Sequence, residues 1–283
     1  MSIVHDDLVM EFKELVEGVR VPVLGLGTWG MGGYRTPDTA RDLEEISALR
    51  AGIEQGVTHI DTAEMYGGGH TEELVGEAIK PYRREDLFIA TKVWTTNLRY
   101  QDLLTSIKDS LQRLNVDYVD LYLVHWPNPA IPLRETMSGL ERCVDEGYTR
   151  FIGVSNFSAL LLSEAQSHLE ENRLVANQVR YSLMEQTPRE ELLPYCLDNG
   201  LMLVAYRPLE RGILTGSGHK VLDELAEKYG KTRSQIALNW LIAQENVIAI
   251  PKTSNIEHLK ENTGAVGWRL SKDDFKRLAE SFH

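Results

Sequence analysis

The sequence predicts an α/β chain closed as a (β/α)8 barrel of the TIM type, on three observations. Eight apolar, β-branched runs recur along the 283 residues. Patterns of helical period separate them, so strand and helix alternate throughout. The chemically suggestive residues near the ends of those runs, at 61, 92, 125, 155, 178, 206 and 252, lie 31, 33, 30, 23, 28 and 46 residues apart, and most of these intervals fit one βα unit. Such barrels run to about 250 residues as one domain, so residues 1–283 are expected to form a single barrel domain.

Taken in order, the strands are expected at Val21–Trp29, Thr58–Ala63, Leu87–Val93, Tyr118–His125, Arg150–Asn156, Ala176–Ser182, Met202–Leu209 and Val247–Thr253. The helices between them fall at Ala40–Gln55, Thr71–Lys80, Gln101–Leu114, Arg134–Glu146, Ser158–Glu170, Arg189–Asn199 and Arg233–Gln244. The longest interval has room for an additional helix at Gly218–Tyr229. Ahead of the first strand, Met10–Leu15 and Val19–Val21 flank Glu17-Gly18, a predicted β-hairpin capping the barrel bottom. Helix starts at Thr187, Thr232, Ser254 and Ser271 carry capping-box or related spacing. After Ser271 the tail reads as one amphipathic helix.

A formal net charge of −12 argues against general nucleic-acid binding, which needs a basic face to displace counterions. No apolar run approaches the roughly 18 residues of a membrane span, and the N-terminal stretch Met1–Met10 lacks the basic then apolar plan of a secretory leader. A cytoplasmic protein, monomeric or a weak homo-oligomer, is the expectation. Cys143 and Cys196 fall in separate predicted helices with no paired spacing, and the histidines are scattered, so neither a disulfide framework nor a metal site is indicated.

Four clusters close apolar runs: Asp61-Thr-Ala-Glu-Met-Tyr66, Ala90-Thr-Lys92, Leu123-Val-His-Trp126 and Gly153-Val-Ser-Asn156. Barrel strand ends carry active sites. Here they offer a carboxylate (Asp61), a phenol (Tyr66), an ammonium (Lys92) and an imidazole (His125), a set suited to moving a proton to or from an oxygen near neutral pH. A lysine ending a run as apolar as Leu87–Thr91 is rarely buried unless paired. A nearby Lys92 would favour the phenolate of Tyr66 and lower its pKa, Asp61 would hold Lys92 charged, and a neutral His125 would orient a carbonyl oxygen. Taken alone, His125 also reads as an ordinary core histidine.

An anion site has its own argument. Lys252-Thr253-Ser254 follows the last strand and opens a helix, whose first turn presents unpaired N–H groups and a positive dipole end. Two patterns fail their context. Gly25-Leu26-Gly27-Thr28-Trp29-Gly30 has dinucleotide-fingerprint spacing, yet no helix follows it directly. Asn156-Phe157-Ser158 has the form of a glycosylation site but lacks a leader to bring it to the machinery.

These residues together resemble the aldo-keto reductase family. The resemblance runs through Leu24-Gly-Leu-Gly-Thr-Trp29, Ile60-Asp-Thr-Ala-Glu-Met-Tyr-Gly67, Thr91-Lys-Val-Trp94, Leu123-Val-His-Trp126, Gly153-Val-Ser-Asn-Phe157, Ala176-Asn-Gln-Val179, Tyr206-Arg-Pro-Leu209 and Ile250-Pro-Lys-Thr253, ending at Glu261-Asn262. It implies a barrel that binds an extended nicotinamide cofactor and reduces aldehydes or ketones, reversibly as an alcohol dehydrogenase. Tyr66 is then the proton donor, Asp61 and Lys92 its pKa-lowering pair, and His125 the orienting group.

The resemblance places Ser155, Asn156 and Gln178 on the nicotinamide carboxamide, Tyr206 stacked on its ring, and Lys252 and Thr253 beside a 2′-phosphate. It sets Gly27, Thr28, Trp29, Asp61, Leu209, Ser254, Glu261 and Asn262 against the rest of the cofactor. Two positions depart from the family pattern. His258 stands where many members carry an arginine, and imidazole lacks the two-pronged guanidinium fork. NADP(H) is therefore expected to be preferred, with NAD(H) usable. Arg207 replaces a small hydroxyl residue and either adds charge near the pyrophosphate or is simply solvated.

Trp29, Trp94 and Trp126, with Tyr66 and His125, are expected to wall the substrate pocket, or else to pack beneath loops. The Tyr34–Asp38 and Thr95–Tyr100 loops would set discrimination. A small-molecule carbonyl is the expected partner. The competing readings are a cofactor-sensing auxiliary subunit with little turnover, and a barrel kept for structural ends alone.

Overall fold

The computed structural model describes residues 10–282. The stretch on which the leader expectation rests therefore lies, save for Met10, outside the described residues. The chain opens with β1 (Phe12–Val16) and β2 (Val19–Pro22), an antiparallel pair turning at Gly18. The repeating part follows as β3 (Leu26–Gly27), α1 (Asp42–Glu54), β4 (His59–Asp61), α2 (His70–Ile79), β5 (Phe88–Val93), α3 (Tyr100–Leu114), β6 (Val119–Val124) and α4 (Leu133–Asp145). It continues as β7 (Thr149–Ser155), α5 (Ala159–Ser167), β8 (Leu174–Arg180), α6 (Leu192–Asp198), β9 (Met202–Tyr206), α7 (Lys220–Tyr229), α8 (Arg233–Ile242) and β10 (Val247–Ala249), then α9 (Ile256–Thr263) and α10 (Lys272–Glu280).

Strands β3 to β10 form one parallel sheet in sequence order. Its ends meet: Leu24 bridges Ala249 and Gly27 bridges Lys252, both in parallel sense, and the Gly27 amide donates to the Pro251 carbonyl at 3.1 Å. That seam closes the barrel. A Cβ at Gly27 would lie 2.7 Å from the Ile250 carbonyl oxygen, so only glycine lets the two strands approach. The first barrel strand is much shorter than the run Val21–Trp29 suggests because the hairpin takes up its start: Val21 and Pro22 pair with β1, and regular pairing in the barrel begins only at Leu26.

The strands separate two cores. Inside the barrel Phe88, Leu121, Leu123, Met202, Val204 and Ile248 pack together, and Leu15 and Val21 of the hairpin close the layer at the strand starts. Lys13 fastens the hairpin there, its ammonium donating to the carbonyls of Ile242 (2.8 Å) and Val247 (2.6 Å). Outside, the alternate residues of the same strands meet the helices. In α3, for example, Leu103, Ile107, Leu111 and Leu114 recur every three or four residues and are buried. Asn115 ends that helix in the left-handed region at φ 54°.

Capping follows the sequence at Ser158, Thr232 and Ser271; Thr232 and Gln235 make a reciprocal capping box. Two helix starts differ. Thr187–Arg189 is a short turn of its own, and α6 begins three residues later at Leu192. The α9 cap is Asn255, one residue beyond Ser254, because the Asn255 amide oxygen reaches the N–H groups of Glu257 (2.8 Å) and His258 (3.3 Å). Among the described residues no helix is long and apolar enough to cross a membrane.

Candidate active site

The C-terminal ends of the barrel strands surround a cavity of about 730 Å³. Asp61 ends β4, Lys92 is the penultimate residue of β5, and His125 follows β6 directly. Tyr66 arrives from the loop after β4, where Gly67, Gly68 and Gly69 all take positive φ. A Cβ at Gly67 would sit 2.6 Å from the Gly32 carbonyl oxygen, so the chain can turn sharply here and carry the Tyr66 ring back over the barrel mouth. The ring is held edge-on between Trp29, with centroids 4.8 Å apart, and His125, at 5.5 Å. Trp94 in turn meets His125 edge-on at 5.1 Å.

Beneath the ring, the Lys92 ammonium donates to Asp61 Oδ2 at 2.7 Å, to the Thr62 carbonyl at 2.8 Å and to the Tyr66 hydroxyl at 3.4 Å. Burial works to discharge Lys92, but Asp61 and then Tyr66 outweigh it, and the lysine pKa rises above its usual value. Lys92 is thus a buried cation. For Tyr66 the expected lowering is not the net result. Burial pushes its phenol up, and Lys92 offsets only part of that rise. The phenol stays protonated, with an ammonium in place to receive the charge once the proton leaves. Burial, with Lys92 adding to it, drives the His125 pKa down to about 2, so this imidazole is neutral, and its buried Nδ1 has no partner.

The other acceptor of Asp61 is also engaged: Gln178 in β8 donates to Oδ1 at 2.7 Å. Ser155 donates its hydroxyl to the Gln178 carbonyl at 2.7 Å. Asn156, left-handed at φ 64°, donates to the His125 carbonyl at 3.1 Å and accepts from the Tyr206 hydroxyl at 2.9 Å. Thr28 donates to the Asp61 carbonyl at 2.9 Å. One hydrogen-bonded web therefore joins the ends of β4, β5, β7, β8 and β9.

Of the residues singled out from sequence, Gly27, Thr28, Trp29, Asp61, Tyr66, Trp94, His125 and Trp126 line one part of the cavity. Ser155, Asn156, Gln178, Tyr206, Arg207 and Leu209 continue its wall, and Lys252, Thr253, His258, Glu261 and Asn262 complete it. Two do not reach it. Lys92 lies behind Tyr66, and Ser254 is buried beneath Lys252, whose ammonium it accepts at 2.8 Å. The expected open helix end is also partly taken, since Asn255 already satisfies two of the α9 amides.

Sequence reasoning passed over Met65, Arg211, Gly212 and Thr215, which also face the cavity. Arg211-Gly212 lies one residue beyond the Tyr206–Leu209 run, and that nearness was the available signal. Arg35, Arg207, Arg211 and Lys252 all line the cavity and form no ion pair among the described residues. In a chain of net charge −12, four cations without ion-pair partners around one cavity are the chemistry of an anion site. Among the described residues no group of three or more His, Cys, Asp or Glu is arranged to hold a metal ion.

The sequence and the fold both match known proteins. The sequence profile of the Aldo/keto reductase family matches residues 23–282. Methylglyoxal reductase YeaE of Escherichia coli (strain K12) is 36% identical over 93% of this chain and 92% of its own length. The crystal structure of the thermostable aldo-keto reductase Tm1743, in complex with the inhibitor epalrestat, superposes with a TM-score of 0.93 at 51% identity, covering 96% of this chain and all of that one. An aldo/keto reductase of Klebsiella pneumoniae, solved with NADP and acetate, superposes with a TM-score of 0.88 at 36% identity, covering 97% of this chain and 96% of that one.

Proposed function

The chain belongs to the aldo/keto reductase family, and on that premise we propose that it is an NADP(H)-preferring reductase of small aldehydes and ketones, with Tyr66 as proton donor. The observation that carries the reading is the Asp61–Lys92–Tyr66 chain of contacts at 2.7 and 3.4 Å, beside a neutral His125 and opening into a cavity walled by unpaired cations.

The residues present fit a dinucleotide. Lys252, Arg207 and Arg211 offer charge to phosphates. Tyr206 offers a flat, half-buried ring, and Ser155, Asn156 and Gln178 offer amide and hydroxyl groups of the kind a carboxamide needs. When bound, the nicotinamide supplies the hydride that amino-acid side chains cannot. The protein's part is the proton. A carbonyl oxygen placed between Tyr66 and His125 gains negative charge as its carbon is reduced, and donors already aimed at that position stabilise it without reorganising. Tyr66 gives its proton to this oxygen, leaving an alcohol, and the phenolate is held by Lys92 until water reprotonates it. Asp61 keeps Lys92 oriented, while Trp29, Trp94 and Trp126 limit water near the reacting carbon. Small 2-oxoaldehydes, the class that the Escherichia coli relative's name indicates, suit this aromatic-walled end of the cavity.

The test is the loss of near-ultraviolet NADPH absorbance with methylglyoxal, short aldehydes and ketones, in the wild type and in Tyr66→Phe. Turnover that vanishes in the variant while cofactor binding persists is the expected result. Tight cofactor binding with no turnover on any carbonyl would instead make this barrel a cofactor sensor.

A further inference from the structure

The segment between β9 and α7 carries the least ordinary backbone in the molecule. Among the described residues six non-glycine positions have positive φ, and three of them are asparagines, which tolerate that region. The other three are Arg207 at 52°, Glu210 at 47° and Arg211 at 54°, all within this one segment. Conformations of this kind persist only where the surroundings over-determine them.

The residues of the segment face two ways. Arg207, Leu209, Arg211 and Gly212 line the cavity, whereas Glu210 does not. Its carboxylate is 5% exposed and turned back toward the barrel, where Oε2 lies 2.5 Å from Arg180 Nη2 and Oε1 lies 3.1 Å from Arg180 Nε and 2.8 Å from Ser182 Oγ. Arg180 ends β8 and pairs in register with Tyr206, so the clamp joins the loop to the strand pair from which the loop departs. The loop's own hydrogen bonds, Glu210 N–H to the Arg207 carbonyl at 3.0 Å and Gly212 N–H to the Leu209 carbonyl at 2.9 Å, shape it without fixing it to the barrel. Leu214 is fully buried and anchors the far end. Glu210 anchors the near end, where the two arginines stand.

We propose that Glu210 is a positioning residue for dinucleotide binding: its clamp on Arg180 and Ser182 holds Arg207 and Arg211 against the cavity, set to receive a diphosphate group. The proposal rests on the reductase reading only in naming the ligand. A two-pronged guanidinium–carboxylate pair suits this task, because it fixes direction as well as distance. Arg180 is the outer partner, 42% exposed against 5% for Glu210, and can be altered with less disturbance of the core.

The test combines amide hydrogen exchange of the free protein with titration of NADPH against tryptophan fluorescence, in the wild type, Glu210→Ala, Glu210→Gln, Arg180→Gln, Arg211→Ala and the Glu210→Ala/Arg211→Ala double variant. Loss of the clamp should speed exchange at the amides of residues 210, 212 and 214 and not elsewhere in the barrel. It should also weaken NADPH by about tenfold, as the binding-competent loop falls to about a tenth of the population. Glu210→Gln keeps an acceptor for Ser182 and should fall in between. With Arg211 already removed, loss of Glu210 should cost less, because part of its effect passes through that side chain and only Arg207 remains to be positioned. In Arg180→Gln, whose side chain does not line the cavity, turnover at saturating NADPH should change little. Wild-type exchange and affinity in both Glu210→Ala and Arg180→Gln would overturn the proposal, as would an undiminished effect in the double variant. If Glu210→Ala speeds exchange throughout the barrel, Arg180→Gln decides. A wild type that binds no dinucleotide overturns this inference together with the reductase reading, whereas wild-type binding unchanged by the variants overturns the inference alone.

Discussion

Lys92 and Asp61 form an ion pair at 2.7 Å with side chains 0% and 3% exposed, so both charges are almost entirely withdrawn from solvent. Isolated, either charge would be intolerable there, since taking an ion out of water costs several kcal/mol even after relaxation. The pair survives because Gln178 and the Thr62 carbonyl complete it.

Removing one partner should therefore damage both stability and chemistry. Lys92→Met leaves the Asp61 carboxylate buried and unpaired, an expected loss of about 3–5 kcal/mol in unfolding free energy by urea titration. Carbonyl reduction should fall by about 10²–10⁴-fold, the range typical of a lost acid–base contribution. A variant that keeps wild-type turnover would remove Lys92 from the mechanism.

Tyr66→Phe separates the two effects. Only one hydroxyl is lost, and its single contact is the long one to Lys92, so the unfolding midpoint should barely move while reduction falls by about 10²–10⁴-fold. The pH profile follows from the direction of the phenol's pKa. A proton donor works below its pKa and fails above it. With burial holding the Tyr66 pKa above 10.0, the kcat/KM for reduction should stay flat through neutral pH and decline only in strongly alkaline solution. A decline beginning near neutral pH would point to another donor.

The barrel and the proton-handling end of the cavity were legible in the sequence for one reason. Both depend on residues at the ends of strongly periodic runs, where the period itself places Asp61, Lys92 and His125 on one rim. What was not legible depends on balances and on loops. The direction of the Tyr66 shift is a contest between burial and Lys92, and residue types alone do not set its outcome. Arg211 and Gly212 lie in a segment of left-handed backbone with no periodic signal. The α9 cap fell one residue beyond its expected place because Ser254 is taken up by Lys252, leaving Asn255 to serve the helix.

His59 supplies a test of acid stability. It lies wholly inside the barrel at the start of β4, both ring nitrogens lack partners, and burial lowers its pKa to about 4 from 6.5. A depressed folded-state pKa means that the unfolded chain takes up the proton first. The contribution is complete above 6.5 and is lost as pH falls from there toward about 4. Urea midpoints of the wild type should thus fall through this window, and His59→Asn should lose up to about 1.4 kcal/mol per pH unit less steeply. Parallel pH slopes for the two proteins would show that His59 does not contribute.

Gly27 tests the seam. Adding a methyl group at Gly27→Ala would bring it to 2.7 Å from the Ile250 carbonyl oxygen, a backbone atom that cannot swing aside. Either the seam between the first and last strands opens or β10 shifts, and overpacking of this kind costs about 1–3 kcal/mol. Because Lys252 bridges Gly27 directly, the shift should also weaken NADPH binding. Equal urea midpoints for wild type and variant would mean that the seam is looser than the geometry indicates.

On the proposed reading, cofactor choice turns on Lys252 and His258, which both line the cavity. Burial lowers the Lys252 pKa, an effect that Glu45 partly offsets, and its hydrogen bond to Ser254 holds the ammonium in place. A phosphate esterified to the adenosine ribose would meet that ammonium, while NADH offers nothing in its place. Lys252→Ala should therefore weaken NADPH by about tenfold, equivalent to about 1.4 kcal/mol, and leave NADH nearly unchanged. His258→Arg works in the opposite direction. A guanidinium on the first turn of α9 adds two parallel charge-assisted bonds to a phosphate, and each such bond contributes about 1.5–3 kcal/mol. The ratio of kcat/KM for NADPH over NADH should rise by at least about tenfold in that variant. An unchanged ratio in both variants would place the discriminating phosphate away from α9 and reassign these cations to another part of the ligand.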